Sequence, residues 1–163
     1  MMEGLSDKSK LWLYQSDRNL SDTEIKFISE NLRVFCKEWT AHNLQLKADF
    51  EIIDKRIIAL AVDESMNDAS GCSIDKSVSR LKSIGTDLNI DFFNRTNMLF
   101  KIDDQIVCID FKEIPLKYEN KVIDSDSLIY NMNLSKLRDL KTQFLIPFKT
   151  HWLFQKLKTP HNG

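Results

Sequence analysis

The sequence predicts an α+β domain in which an antiparallel sheet carries two helices on one face. Three observations lead there: two stretches with apolar residues at helical spacing, five short apolar or alternating runs that read as strands, and an order in which strands and helices alternate.

LWLYQ, residues 11–15, is short, aromatic and apolar, as a strand should be. Ser21 and Glu24 then form an S-x-x-E capping box. Ile25, Ile28, Leu32, Phe35 and Trp39 recur at helical spacing, so an amphipathic helix is expected from about residue 22 to 40. ADFEIID, residues 48–54, alternates, whereas IIALAV, residues 57–62, is continuously apolar. With Asp54, Lys55 and Arg56 between them they predict a hairpin whose second strand is central and covered. A second helix is expected after Ser73 as N-cap, with Ile74, Val78, Leu81 and Ile84 on one face and Gly85 as its stop. NMLFKI and QIVCID predict another hairpin, turning at Asp103 and Asp104.

The order strand, helix, strand, strand, helix, strand is the split β-α-β pattern of ferredoxin-like folds, here with one added strand. From Phe111 on, the sequence is less regular. It holds a polar DSDS stretch, a candidate strand LIYNM, a short helix from Ser135 and the aromatic FLIPFKTHWLF, where Pro147 interrupts any long helix. Phe144, Phe148, Trp152 and Phe154 are expected to pack, because exposed they would be an apolar liability. A single domain over residues 1–163 follows, with a core at about 10–110 and an irregular C-terminal appendage at about 111–163.

Composition narrows the function classes. A chain with 42% hydrophobic and 29% charged residues can build a core, and its formal net charge of -1 gives no global field for nucleic acid or an anionic membrane. No run of about eighteen apolar residues is present to span a bilayer, and the start MMEGLSDKSK has no apolar stretch of the kind a signal peptide needs. Cys36, Cys72 and Cys108 lie far apart, without the close spacing of zinc sites or redox dithiols, and an odd number fits poorly with a disulfide framework. A cytoplasmic setting is expected. DESMND and DSDS are acidic but do not follow the D-x-[DN]-x-[DN]-G calcium loop, so neither a metal nor another cofactor is expected. Cys36 and Cys108 read as core filler, and His151 as part of the C-terminal packing cluster.

WLYQSDR near the start, VDE followed by ASGCSID, DFFNR after the second helix, and IYNMN with IPFKTHW together resemble a family of short bacterial proteins commonly labelled "ABC transporter ATPase". The likeness spans most of the chain, and ASGCSID is its most specific piece. An ATPase of that kind needs GxxxxGK[ST], whose amides and lysine hold the phosphates; four glycines exist here and none stands in that context. The resemblance brings no catalytic residue to any position, and ATP hydrolysis is not expected.

Two regions remain as candidates. In the first, Ser70, Gly71, Cys72 and Ser73 stand at the mouth of the second helix, where the positive dipole end favours an anion and lowers a thiol pKa. The fold pattern brings His42, Asp63 and Glu64 to the same sheet edge. Cys72 is then a candidate nucleophile, His42 its base and Asp63 or Glu64 the orienter. The plainer alternatives are a helix cap with a small buried cysteine, and a His42 that satisfies carbonyls at the first helix's C-terminus. Asp75 opposes an anion there, because its carboxylate already stands near the positive end. The second region is a rim of Arg18, Lys55, Arg56 and Arg95, able to grip a carboxylate or phosphate, although Asp17, Asp54 and Asp91 lie among them and a solvated rim is the plainer reading. The leading expectation is a non-catalytic binding module for a small anionic ligand or a protein partner. A thiol-dependent enzyme using Cys72 and an oligomer subunit joined through the C-terminal aromatics stand as alternatives.

Overall fold

The Glu24 amide donates to Ser21 Oγ at 3.1 Å and the Ser21 amide donates to Glu24 Oε1 at 2.9 Å, so the capping box read from the sequence closes reciprocally. It starts helix α1, Asp22–Glu38, in a computed structural model that describes residues 2–65 and 67–158, with the side chains of 72 and 158 left aside. The architecture is α+β, with antiparallel pairing throughout.

The described chain resolves into two compact units, residues 2–94 with 133–141 and residues 95–132 with 142–158. The division falls after Asn94, whereas the sequence drew its line near residue 110.

In the first unit, β1 (Lys10–Gln15) is followed by α1, and a small hairpin of β2 (Thr40–Ala41) and β3 (Leu44–Gln45) leads into β4 (Lys47–Ile53) and β5 (Ile57–Asp63). The sheet order is β1-β5-β4, so the apolar IIALAV run is central, and all of β5 is buried. The β4–β5 turn places Asp54 and Lys55 at φ 52° and 55°, a left-handed conformation that an aspartate tolerates better than most residues. Helix α2 (Gly71–Leu88) packs with α1 on one face of this sheet. Ile28, Leu32, Leu81 and Ile84 meet Tyr14 and Ile58 there in one core cluster. Trp39, just beyond α1, is buried in a neighbouring cluster and donates its indole N–H to the Ser73 carbonyl at 2.8 Å, which ties the two helices together.

Both ends of α2 differ from expectation. Ser70, not Ser73, is the N-cap, so Gly71 and Cys72 are the first two helical residues rather than a preceding turn. Gly85 does not stop the helix, which runs on to Leu88 and ends with Asn89 at φ 54°. The glycine serves a close approach instead. The Ile90 amide donates to the Gly85 carbonyl at 2.8 Å, and a Cβ on Gly85 would collide with the Ile90 carbonyl oxygen.

The margin of the sheet at β1 is closed by residues from much later in the chain. The Leu11 amide donates to Ser135 O (3.0 Å), the Leu137 amide to Ser9 O (2.9 Å) and the Arg138 amide to Asp7 O (3.0 Å), and Lys10 bridges Lys136. The short helix expected from Ser135 is α4, Leu137–Leu140.

The second unit contains β6 (Asn97–Ile102), β7 (Gln105–Asp110), α3 (Ile114–Glu119), β8 (Leu128–Tyr130), β9 (Leu145–Pro147) and α5 (Trp152–Lys158). Its strands form one sheet in the order β7-β6-β8-β9. NMLFKI, expected to complete the first sheet, is therefore β6 of this second one. The presumed appendage supplies its last two strands. Phe100, Phe148 and Phe154 are buried together, with Phe148 5.4 Å from Phe100 and 5.3 Å from Phe154 between ring centres. Phe144 is also buried; Trp152 is 44% exposed, against expectation. Cys36 is buried as expected, but Cys108 is exposed: on β7 it alternates with Val107 and Ile109, which pack in the core cluster, and so it faces away from that cluster.

Candidate functional site

The loop between β5 and α2 and the β2–β3 hairpin form the walls of a hollow of about 540 Å³, lined by His42, Glu64, Ser65, Asn67, Asp68 and Ser70 among others. Each wall has a local cause. The hairpin turns at His42 and Asn43 with φ of 52° and 64°, which throws the imidazole out of the sheet. His42 is thus exposed in a hairpin turn and does not cap α1, which ends at Glu38.

On the loop side, Asp63 ends β5 and is buried. Its carboxylate accepts from the Ser65 amide (3.0 Å) and the Ser6 amide (3.0 Å), with Lys47 Nζ at 3.7 Å. Those amide donors, followed by the weaker pull of Lys47, hold the carboxyl well below the usual range, at about 2. Asp63 is therefore a structural anchor for both the loop and the N-terminal segment. Glu64 is similarly engaged, accepting from the Ala69 amide at 2.9 Å and pairing with Lys10 at 3.0 Å. Neither carboxylate proposed to orient His42 is left to do so.

The far wall is the start of α2. Ser70 Oγ accepts from the Ser73 amide at 3.2 Å, and the Ser70 amide donates to Ser73 Oγ at 2.7 Å, a serine version of the reciprocal cap. Ser73 is buried and its hydroxyl donates back to the Ser70 carbonyl, so this side chain is spent on the cap. Asp75 falls in the second turn, and the first turn contains no acid, so the positive helix end lacks the opposing carboxylate expected from the sequence. The Cys72 side chain, the candidate nucleophile, lies outside the described part of the structure. Gly71 is exposed at the first helical position, with nothing within 4 Å of where a Cβ would stand.

The structure thus gathers His42, Glu64 and Ser70 around one hollow and adds Ser65, Asn67 and Asp68. All three belong to DESMND, an acidic stretch that does not follow the calcium-loop pattern. Among the described residues no three His, Cys, Asp or Glu side chains converge as a metal site would require.

The cationic rim does not survive as a gripping surface. Arg18 makes a two-pronged pair with Glu24 at 2.8 and 2.6 Å and donates to the Leu88 carbonyl at 3.0 Å. This pairing, with the Ser21 amide, pulls the Glu24 carboxyl down to about 2. Lys55 lies 3.2 Å from Asp22. Arg56 is buried, donating from Nε to the Ser16 carbonyl (2.9 Å) and from Nη1 to Asn19 (3.0 Å), where it braces the start of α1. Arg95 belongs to the other unit.

No protein family, curated protein or solved structure matches the chain. No helix among the described residues is long and apolar enough to cross a membrane.

Proposed function

We propose that this protein is a non-catalytic binding module that takes a small anionic ligand in the hollow at the start of α2. The observation that carries the reading is the hollow of about 540 Å³ set against a capped helix end whose first turn bears no acid. A helix of 18 residues has a full dipole, and with the Ser73 amide taken by Ser70 Oγ it is the Gly71 and Cys72 amides that have no partner inside the helix, so the anionic group belongs at that end, beside Ser70. On the opposite wall Glu64 is already paired, while Asp68 is exposed. An anion that also carries a hydrogen-bond donor, such as an amino or hydroxyl group, fits both walls. The setting is the cytoplasm suggested by the cysteine spacing.

Isothermal titration with inorganic phosphate, sulfate and a series of hydroxy- and amino-carboxylates tests the reading. At least one should bind, and Ser70→Ala and His42→Ala should each weaken it several-fold, at roughly 1 kcal/mol per lost hydrogen bond. Heats that stay at the dilution baseline for the whole series would remove the proposal.

A further inference from the structure

A second feature, on residues separate from that hollow, concerns the other margin of the first unit's sheet. The β1 margin is closed by residues 135–138, but β4 is the terminal strand in the order β1-β5-β4, and among the described residues it pairs with β5 alone. Natural sheets usually cover or blunt such a margin. Here a groove of about 500 Å³ runs between β4 and α1, floored by Cys36, Leu46, Ala48 and Phe50 and rimmed by Arg33 and Lys37. We propose that an extended acidic segment of a partner protein docks there, adding a strand to β4 and placing alternate carboxylates against Arg33 and Lys37.

Three observations carry this. The Phe50 amide donates to the carboxylate of its neighbour Asp49 at 2.8 Å, so it faces away from β5. By the two-residue pleat, Ala48 and Ile52 present their backbone groups the same way, which gives an incoming strand a ladder to join. Next, the seven residues of β4 include neither proline nor glycine, either of which would spoil such a ladder. Finally, the rim is cationic. Arg33 and Lys37 are exposed and, among the described residues, make no ion pair, whereas Lys47 at the end of the strand is already tied to Asp63. Arg33 and Lys37 stand one helical turn apart, about 6 Å, close to the spacing of every second side chain on an extended strand, about 7 Å. An acidic residue at each alternate position therefore meets both cations. Asp49 is the local opponent, and its displacement from the Phe50 amide is a cost of docking.

Fluorescence anisotropy on the full chain tests the proposal with three fluorescein-labelled octapeptides: glutamate alternating with valine, lysine alternating with valine, and the glutamate peptide N-methylated at every second amide. The glutamate peptide should bind in the range of tens of micromolar, and each of the other two about ten-fold or more weaker. Arg33→Glu combined with Lys37→Glu, both on the exposed face of α1, should cause a similar loss while circular dichroism stays unchanged; Ser70→Ala should leave the peptide affinity intact. Failure of the glutamate peptide to bind at about 1 mM, equal binding of its N-methylated form, or full affinity in the charge-reversed variant would each overturn the proposal. Displacement of the peptide by an equimolar oligothymidylate would also overturn it, because the groove would then be a plain cationic patch.

Discussion

Acid should loosen the second unit through one imidazole. His151 is 4% exposed and accepts the Leu153 amide on Nδ1 at 3.1 Å, where it caps the start of α5. Burial pushes its pKa down from 6.5 to about 4. In the unfolded chain the ring takes up a proton below about 6.5; in the folded chain it stays neutral until about 4. Between those values the unfolded state binds more protons, so stability is complete above about 6.5 and declines as pH falls through the window. The slope reaches about 1.4 kcal/mol per pH unit, and the whole window accounts for roughly 3 kcal/mol. His151→Asn keeps an acceptor near the place of Nδ1 and removes the titration; it should lose about 1 kcal/mol at neutral pH and flatten the dependence. Urea midpoints taken from neutral pH down to about 4 for both proteins isolate this group, since the carboxylates common to both cancel in the difference. Nuclear magnetic resonance of the ring gives the value directly. A His151 that titrates near 6.5 in the folded protein, or parallel pH profiles for the two proteins, would refute the reasoning.

Three other outcomes follow from the packing. Gly85→Ala should lower the urea midpoint by an amount equal to about 2 kcal/mol or more, because the new Cβ meets the Ile90 carbonyl and not a yielding side chain; an unchanged midpoint contradicts the close approach. Asp63→Asn should cost about 2 kcal/mol and raise hydrogen exchange at Ser6 and Ser65, whose amides lose a charged acceptor. Since folding holds that carboxyl near 2, against an ordinary 3.8, its contribution is complete above about 3.8 and fades as pH falls towards 2, so wild type and variant should converge in strong acid. Phe148→Ala, at a fully buried ring touching Phe100, Tyr118 and Phe154, should cost about 3 to 5 kcal/mol and expose the second unit's core to a hydrophobic dye.

Local signals were read well from the sequence, and long-range ones were not. The Ser21 and Glu24 box, the apolar face of α1, the covered strand β5 and the turn at Asp103 and Asp104 all rest on residues a few positions apart, and each appears as expected. The cap of α2 was displaced because ASGCS offers two serines three apart, and only the fold shows that each completes the other's hydrogen bonds. Gly85 reads as a stop because glycine ends many helices; its true constraint, the Ile90 carbonyl, comes from the chain folding back beyond the helix. The second sheet is not legible because NMLFKI suits either sheet by its own pattern, and β9, at three residues, is too short for any periodicity to mark; β8 does fall within the candidate strand LIYNM. For the site, His42, Glu64 and Ser70 were found, as each flanks an element end. Arg18 and Arg56 looked available because their partners, Glu24, Ser16 and Asn19, are fixed by folding and not by spacing.

The late residues that seal the β1 margin bear on how the chain matures. Lys10 and Lys136 lie more than a hundred positions apart, so the first unit cannot close its β1 margin until the ribosome has passed residues 95–132 of the second. During that interval β1 and β4 both stand as bare margins beside a hydrophobic middle strand, a state that invites mispairing between nascent chains.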